Sequence, residues 1–262
     1  MNRQLYLECY SGISGDMTVA ALLDLGADEQ ILRKALASLP VGGFEIAVTR
    51  KVKSGLDVCD FDVILDAEHE NHDHDMEYLH GHDHQHTHDH EHVHEDGSVH
   101  THEHHHHDHS HEHHHDYGHH HEHRGLHEIL HIIEHADMTE RAKETAVRIF
   151  QILAEAESKA HGVPADQVHF HEVGAVDSIV DILAVAVCLD NLDITEVIVP
   201  FLCEGQGSIR CQHGIIPVPV PAVVNIAQAH GLTLKPTGVQ GELVTPTGAA
   251  IVAAVRTSDK LP

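Results

Sequence analysis

Apolar and polar residues alternate with a regular period along the first 66 residues of the chain. The segment QLYLECY (4–10) has the two-residue alternation of a strand, and a glycine-containing turn separates it from an apolar helix over 17–25. A second helix with a 3.6-residue period follows over 28–39. Two further segments, 44–52 and 59–66, predict a β-hairpin.

The same periodicities return after residue 124. The predicted elements are a helix around 126–133, a long helix over 138–160, a strand over 168–172, a helix over 177–189, a strand over 196–201, a short hairpin in SIRCQHGIIP, and helices over 221–230 and 245–255. Asp137 and Glu140 have capping-box spacing at the start of the long helix. The alternation of strands and helices predicts an α/β fold with a mixed, largely parallel sheet flanked by helices.

A histidine-rich and acidic tract interrupts this pattern and divides the chain into segments 1–67, 68–124 and 125–262. Only eight of the 34 histidines lie outside the tract, and no lysine or arginine occurs between Lys53 and Arg124. Its alternating residues cannot form a core-facing set, so the tract is predicted to be disordered. Imidazole suits nickel, zinc and copper, so we expect many weak metal sites there; the alternative is a solvated insertion without a metal function. Its ligands include His82, His84, His86, His88, His104 and His106.

Charge and composition limit the partners that the chain can have. Its formal net charge is −27, of which −15 lies in the tract, so nucleic acid and anionic membrane surfaces are not expected partners. No signal-peptide pattern and no run of about 18 apolar residues occurs, so we expect a cytoplasmic protein. The five cysteines show no CxxC spacing, which argues against disulfides and against a cysteine zinc site.

The segment HFHEVGAVDSIVD (169–181) is the densest cluster of metal-ligand residues outside the tract. His169 and His171 would share one face of a strand, while Asp177 and Asp181 lie one turn apart on the next helix. These four side chains could surround one metal ion, with Glu172 as an outer ligand or a base. The alternatives are that Asp177 caps the helix and that the histidines are hydrogen-bonded core residues.

A second pair of metal-ligand candidates lies on the helix after the tract. His127 and His131 are one helical turn apart, and His135 continues the same stripe. Two histidines at this spacing can share a metal ion. Histidine-rich composition carried over from the tract explains the stripe equally well.

Two loops at predicted helix N-termini could hold an anion. Gly12 and Gly15 of SGISGDM would expose backbone amides, although the charge of Asp16 would repel an anion unless a metal bridges the two. In TPTGAAI, Thr245 would be the N-cap, and Thr247 and Gly248 would allow an anion to approach. Simple capping is the alternative for each loop.

Together these motifs resemble one known family. The segments ECYSGISGDM, AEAESKAHG, HFHEVGAVDSIVD, GSIRCQHGIIPVPVPA and GELVTPTGAAI and the histidine tract occur in the same order in the nickel insertion proteins of lactate racemase maturation (LarC type). The resemblance implies a lyase-class cyclometallase that inserts Ni(II) into pyridinium-3,5-bisthiocarboxylic acid mononucleotide, coupled to CTP hydrolysis. The product is the nickel-pincer cofactor.

The resemblance also implies partners that this chain does not contain. Full-length members continue into a C-terminal domain that binds CTP with Mn(II) or Mg(II), so a chain ending at Pro262 resembles the N-terminal half. A lactate racemase-type apoenzyme would receive the product downstream. The sequence does not show whether the chain forms a homo-oligomer.

Roles follow for individual residues if the resemblance holds. We expect Gly12, Gly15, Thr247 and Gly248 to help hold the anionic substrate, and the cluster at 169–181 to stage the metal. Glu172 and Glu242 are the candidate bases, and His213 could serve either as a base or as a ligand. Two rival hypotheses are a nickel storage protein whose function lies in the tract, and a metal-dependent phosphoester hydrolase.

Overall fold

A computed structural model describes residues 3–66, 92–93, 99–100, 124–164, 168, 170, 175–211 and 214–260. The chain separates into two compact units. The first comprises Met1–Asn71 together with His121–Pro262, and the second comprises His72–His120. The segment boundaries at 67/68 and 124/125 stay predictions.

The described residues form an α/β fold, as the sequence predicts. The helices are α1 (Gly15–Asp24), α2 (Glu29–Ala37), α3 (Leu126–His135), α4 (Glu140–His161), α5 (Val176–Asn191), α6 (Pro221–His230) and α7 (Pro246–Val255). The strands are β1 (Arg3–Tyr6), β2 (Phe44–Lys53), β3 (Leu56–Leu65), β4 (His92–Val93), β5 (Val99–His100), β6 (Ile194–Ile198), β7 (Leu202–Gln206), β8 (Ser208–Cys211), β9 (Gly214–Pro217) and β10 (Leu234–Gln240).

Parallel pairing joins the strands at the centre of the first unit. β1 pairs with β6, and β7 pairs with β10. An isolated parallel bridge between Cys9 and Leu202 links the end of β1 to β7, and another between Ile13 and Val244 extends the same arrangement into the loops. The carboxyl end of β1 therefore leads into the glycine loop before α1, and the carboxyl end of its parallel neighbour β6 leads into β7.

Antiparallel pairing is confined to local hairpins. The predicted hairpin of β2 and β3 is confirmed and has an unbroken ten-residue register from Phe44↔Leu65 to Lys53↔Leu56. The hairpin of β8 and β9 is also confirmed. In the second unit, β4 and β5 pair through His92↔His100 and Val93↔Val99, and the rest of the tract lies outside the described residues.

Helix α5 lies at the centre of the hydrophobic core. It is buried from Ile179 to Leu189 except at Asp181, and it contacts α1, α2, α4 and β3. Burying one Leu or Ile side chain contributes about 1.5–3 kcal/mol, so this helix is a principal source of stability. Asp181 is thus the single polar interruption in the buried stretch of α5.

The termini of α6 follow the expected chemistry, whereas the start of α4 differs from the prediction. Pro221 begins α6, and Gly231, which has a positive φ, ends it. The predicted capping box of Asp137 and Glu140 is wrong, because Thr139 is the N-cap of α4 and its hydroxyl accepts a hydrogen bond from the Ala142 amide. None of the helices in the described part is both long and apolar enough to cross a membrane.

Candidate functional site

The two glycine-containing loops predicted from the sequence are packed against each other. The Ile13 amide donates to the Leu243 carbonyl at 2.9 Å, and the Thr245 amide donates to the Ile13 carbonyl at 3.1 Å. Gly12 has φ +84°, and a Cβ at this position would lie less than 3.0 Å from the Leu243 carbonyl oxygen. Only glycine satisfies both the backbone conformation and this close approach.

The loop before α7 is devoted largely to capping and packing. The Thr245 hydroxyl accepts a hydrogen bond from the Gly248 amide at 3.1 Å, and Thr247 and Gly248 are buried. A Cβ on Gly248 would lie less than 3.0 Å from the Ile13 carbonyl. The predicted anion-binding role of Thr247 and Gly248 stays a prediction, and the arrangement gives this loop a clear packing role.

The carboxyl group of Asp181 lies against the N-terminus of α1. A Cβ on Gly15 would be 2.5 Å from Asp181 Oδ2 and 2.7 Å from Asp181 Cβ, so glycine is required for the approach. Ser14 caps α1, and its hydroxyl donates to the Asp16 side chain. The helix end therefore faces a carboxyl group of the protein itself, at a position where an external anion would otherwise be favoured.

Burial raises the pKa of Asp181 to about 8. The negative charges of Asp16 and Asp177 contribute to the same increase, while a hydrogen bond from the backbone amide of Asp16 opposes it. Asp181 Oδ1 is buried and has no hydrogen-bond partner among the described residues. Asp16, Asp177 and Asp181 thus form a group of electrostatically coupled carboxyl groups, called here the carboxylate group.

The structure brings together only part of the predicted metal cluster. Asp181 lies near both Asp177 and Asp16, whereas His169, His171, Glu172 and His213 lie outside the described residues. Within the described ranges, no set of three or more His, Cys, Asp and Glu side chains has the geometry of a metal site. The proposed four-ligand site stays a prediction.

The histidine stripe on α3 is exposed to solvent. The rings of His131 and His135 stack with centroids 4.1 Å apart, and His135 Nδ1 lies 2.9 Å from the His131 carbonyl oxygen. His127 is exposed one turn earlier. In this arrangement His135 is paired within its own helix, and metal binding by His127 and His131 stays a prediction. The tract histidines from His82 to His106 that we singled out lie outside the described residues.

Glu204 is a buried carboxylate near the loops that the sequence did not single out. Its Oε1 accepts hydrogen bonds from the amides of Gly205, Leu243 and Val244 at 2.7, 2.8 and 3.2 Å. Its Oε2 is buried without a hydrogen-bond partner in the described part of the chain. The only signal in the sequence is an acidic residue in LCEGQ directly after apolar residues. Glu204 fixes the loop that carries Glu242, which is half-buried.

The thiols near this region are not poised to act as ligands. Burial raises the pKa of Cys9 to about 11 and that of Cys188 to about 12. No disulfide joins the described cysteines. Cys9 and Cys188 are therefore protonated at neutral pH, which makes these two thiols poor metal ligands.

Comparison with known proteins identifies the family. The sequence profile described as "Nickel insertion protein" matches residues 5–262. The chain belongs to this family. The structure has no match among solved structures.

Three relatives illustrate the similarity within this nickel insertion family. Pyridinium-3,5-bisthiocarboxylic acid mononucleotide nickel insertion proteins are 50% identical over 262 residues in Alkaliphilus metalliredigens (strain QYMF), 44% over 253 residues in Clostridium acetobutylicum and 37% over 253 residues in Acetivibrio thermocellus. These alignments cover 100%, 96% and 97% of this chain but 54%, 55% and 52% of the relatives. The chain spans about half the length of the curated relatives it matches.

Proposed function

We propose that this chain is the N-terminal part of a nickel insertion system that places Ni(II) into pyridinium-3,5-bisthiocarboxylic acid mononucleotide. The observation that carries the proposal is the family match over residues 5–262, together with the names of relatives up to 50% identical. The product would be the nickel-pincer cofactor. It would mature lactate racemase-type enzymes.

The reaction requires a metal-holding group and a proton acceptor. Nickel would bind the two thiocarboxylate sulfurs and form a bond to the ring carbon between them, while the proton on that carbon leaves to a base. Glu172, Glu242 and His213 are the candidate bases. Because Glu204 holds the 241–244 loop through three amides, it would limit the positions available to Glu242.

The carboxylate group supports a role in staging the metal. Asp16 and Asp177 each repel a negative charge on Asp181, and Asp181 keeps a buried oxygen without a hydrogen-bond partner in the described residues. A divalent cation would offset this repulsion, so the group favours a cation over a free anion. His169 and His171 would supply the imidazole donors that Ni(II) prefers.

The C-terminal half of the system would supply the nucleotide chemistry. Relatives are about twice as long as this chain, and we propose that their second half binds CTP with Mn(II) or Mg(II). CTP hydrolysis would then be coupled to insertion. We therefore expect full turnover only when both halves are present.

A direct assay tests the proposed function. The purified chain is mixed with Ni(II) and the unmetallated mononucleotide, with and without CTP, Mg(II) and the C-terminal half, and the nickel complex is detected by mass. Asp181→Asn should reduce product at least tenfold, whereas the exposed Asp259→Asn should leave it unchanged. Absence of product from the complete mixture would contradict the proposal.

Nickel storage is the second candidate function, and the composition of the tract favours it. Deletion of residues 69–123 removes 26 of the 34 histidines. If the tract only delivers nickel, the deletion variant should still form the product at saturating nickel, because the advantage of a tethered donor is one of local concentration. Loss of product at saturating nickel would contradict the delivery role.

A further inference from the structure

An exposed aromatic and basic surface lies beside the glycine loop and has no role in the arrangement described above. Tyr10 directly precedes Ser11–Gly12, and its side chain is 56% exposed. Its ring lies 5.5 Å from that of Phe201, at an interplanar angle of 51°. The Lys235 ammonium lies 3.2 Å from the centroid of Phe201. We call these three residues the aromatic platform.

The fold places the aromatic platform where ligands bind in α/β proteins. Tyr10 follows β1 and Phe201 follows β6, and these two strands are parallel neighbours. Lys235 lies on β10, in register with Cys203 of β7. Ligands in open α/β sheets bind outside the carboxyl ends of the strands, which is the edge that Tyr10 and Phe201 occupy.

We propose that the aromatic platform binds the pyridinium ring of the mononucleotide substrate, with Lys235 pairing with its phosphate. This inference rests on the proposed function and names a subsite for that substrate. The face of an aromatic ring attracts a cation, and the Lys235 ammonium already lies over the ring of Phe201. A pyridinium ring is both flat and positively charged, so it would stack on the exposed Tyr10 beside Phe201 while the exposed Lys235 turns to the phosphate.

The charges around the loop favour this orientation of the substrate. The N-terminus of α1 disfavours a phosphate, because the charge of Asp16 lies there and the side chain of Asp181 occupies the space beside Gly15. Lys235 offers the phosphate a positive partner on the platform instead. The thiocarboxylates would then be free to reach a metal held near Asp177 and Asp181.

A single-tryptophan variant tests stacking directly. The chain contains no tryptophan, so Tyr10→Trp introduces one reporter, and Leu56→Trp places a control at the exposed first residue of β3. A stacked pyridinium ring should quench Tyr10→Trp fluorescence with a saturable curve as unmetallated mononucleotide is added. Leu56→Trp should show only a small change that is linear in concentration. A linear response from both variants would overturn the proposal.

Calorimetric affinities separate the ring contact from the phosphate contact. Tyr10→Ala should weaken binding of the unmetallated mononucleotide by about 5- to 100-fold, and Tyr10→Phe should restore it. Lys235→Ala should weaken binding about fivefold for the mononucleotide but not for the corresponding nucleoside, and the exposed Lys53→Ala should have no effect.

The outcomes distinguish this inference from the proposed function. If the wild-type chain binds the mononucleotide and supports product formation, but Tyr10→Ala and Lys235→Ala bind it as tightly, the aromatic platform is not the subsite. Equal affinity for cytidine monophosphate would also overturn it, because that base carries no ring charge. If the wild-type chain does not bind the mononucleotide at all, the proposed function fails and the platform fails with it.

Discussion

Single residues determine the geometry beside α1. Asp181 is the clearest case, because its carboxyl group interrupts a buried helix and meets Gly15 with no space for a Cβ. The sequence places Asp181 within an apolar helix segment, where a buried carboxylate needs a partner. It did not predict Gly15 as the contact, since residues 15 and 181 come together only through packing of α1 on α5.

We expect Asp181 to make stability depend on pH. Its pKa is about 8 in the folded protein, above its usual value of 3.8, so the folded state holds a proton that the unfolded state releases. The contribution of the Asp181 proton to the free energy of unfolding is therefore fully present below pH 4. It is lost as the pH rises towards 8, by at most about 1.4 kcal/mol per pH unit. Urea unfolding in metal-free buffer between pH 5 and 8 measures it.

The matched variants are Asp181→Asn and Asp259→Asn. Subtracting the Asp181→Asn stability curve from that of the wild type should give a line falling with pH. The Asp259→Asn curve should run parallel to the wild type, because Asp259 is exposed. Parallel curves for both variants would contradict the raised pKa of Asp181.

Glycine variants test the contact between the two loops. Gly12 and Gly55 have nearly the same φ, +84° and +82°, but a Cβ would clash with Leu243 only at Gly12. Gly55→Ala should cost about 1 kcal/mol of unfolding free energy through its backbone conformation alone. Gly12→Ala should cost about 3 kcal/mol or more, because strain and overpacking add to that cost. Equal losses of unfolding free energy in the two variants would show that the loop at Leu243 can move to accommodate the added Cβ.

At the scale of elements, local sequence signals predicted most helices and both hairpins of the first unit. The predicted N-cap at Thr245 is confirmed, and Pro246 begins α7 while Gly231 ends α6, which are positions that favour proline and glycine. Strands β7 and β10 were not predicted, because LCEGQ and LKPTGVQ contain glycine, proline and polar residues. Their pairing depends on neighbours that are distant in sequence, which periodicity does not detect.

Glu204 should act as the anchor of the 241–244 loop. Glu204→Ala would leave three amides without their acceptor, and we expect a loss of about 2–5 kcal/mol in unfolding free energy. Glu204→Gln keeps the accepting oxygen and should cost much less. Hydrogen exchange of the Leu243 and Val244 amides should accelerate in Glu204→Ala and not in Glu204→Gln. Unchanged exchange in both variants would mean that the loop is held by other contacts.

At the scale of the whole molecule, the chain combines a folded unit with a histidine tract of very different composition. The tract accounts for −15 of the net charge of −27, and the folded unit carries the carboxylate group. Composition alone therefore indicated a cation as the cargo. The order of the motifs indicated the family, and neither signal could indicate the aromatic platform, which depends on strand order.

We expect nickel binding by the tract to depend on the protonation of its histidines. Nickel binding by the chain should weaken steeply as pH falls from 7 to 5, because protonated imidazoles cannot ligate a metal. Calorimetric titration of the wild type and of the 69–123 deletion measures this effect, and the deletion should lose most of the binding stoichiometry. Retention of the full stoichiometry would assign nickel capture to the folded unit.

The tight contacts of Gly12 with Leu243 and of Gly248 with Ile13 have a consequence for redesign. The segments before α1 and before α7 interlock, so neither can adopt a new conformation while the other keeps its own. Replacing only one of these segments with that of a relative would create a mismatch where the two segments pack against each other. A chimera intended to change substrate preference should therefore exchange residues 11–17 and 241–248 as a pair.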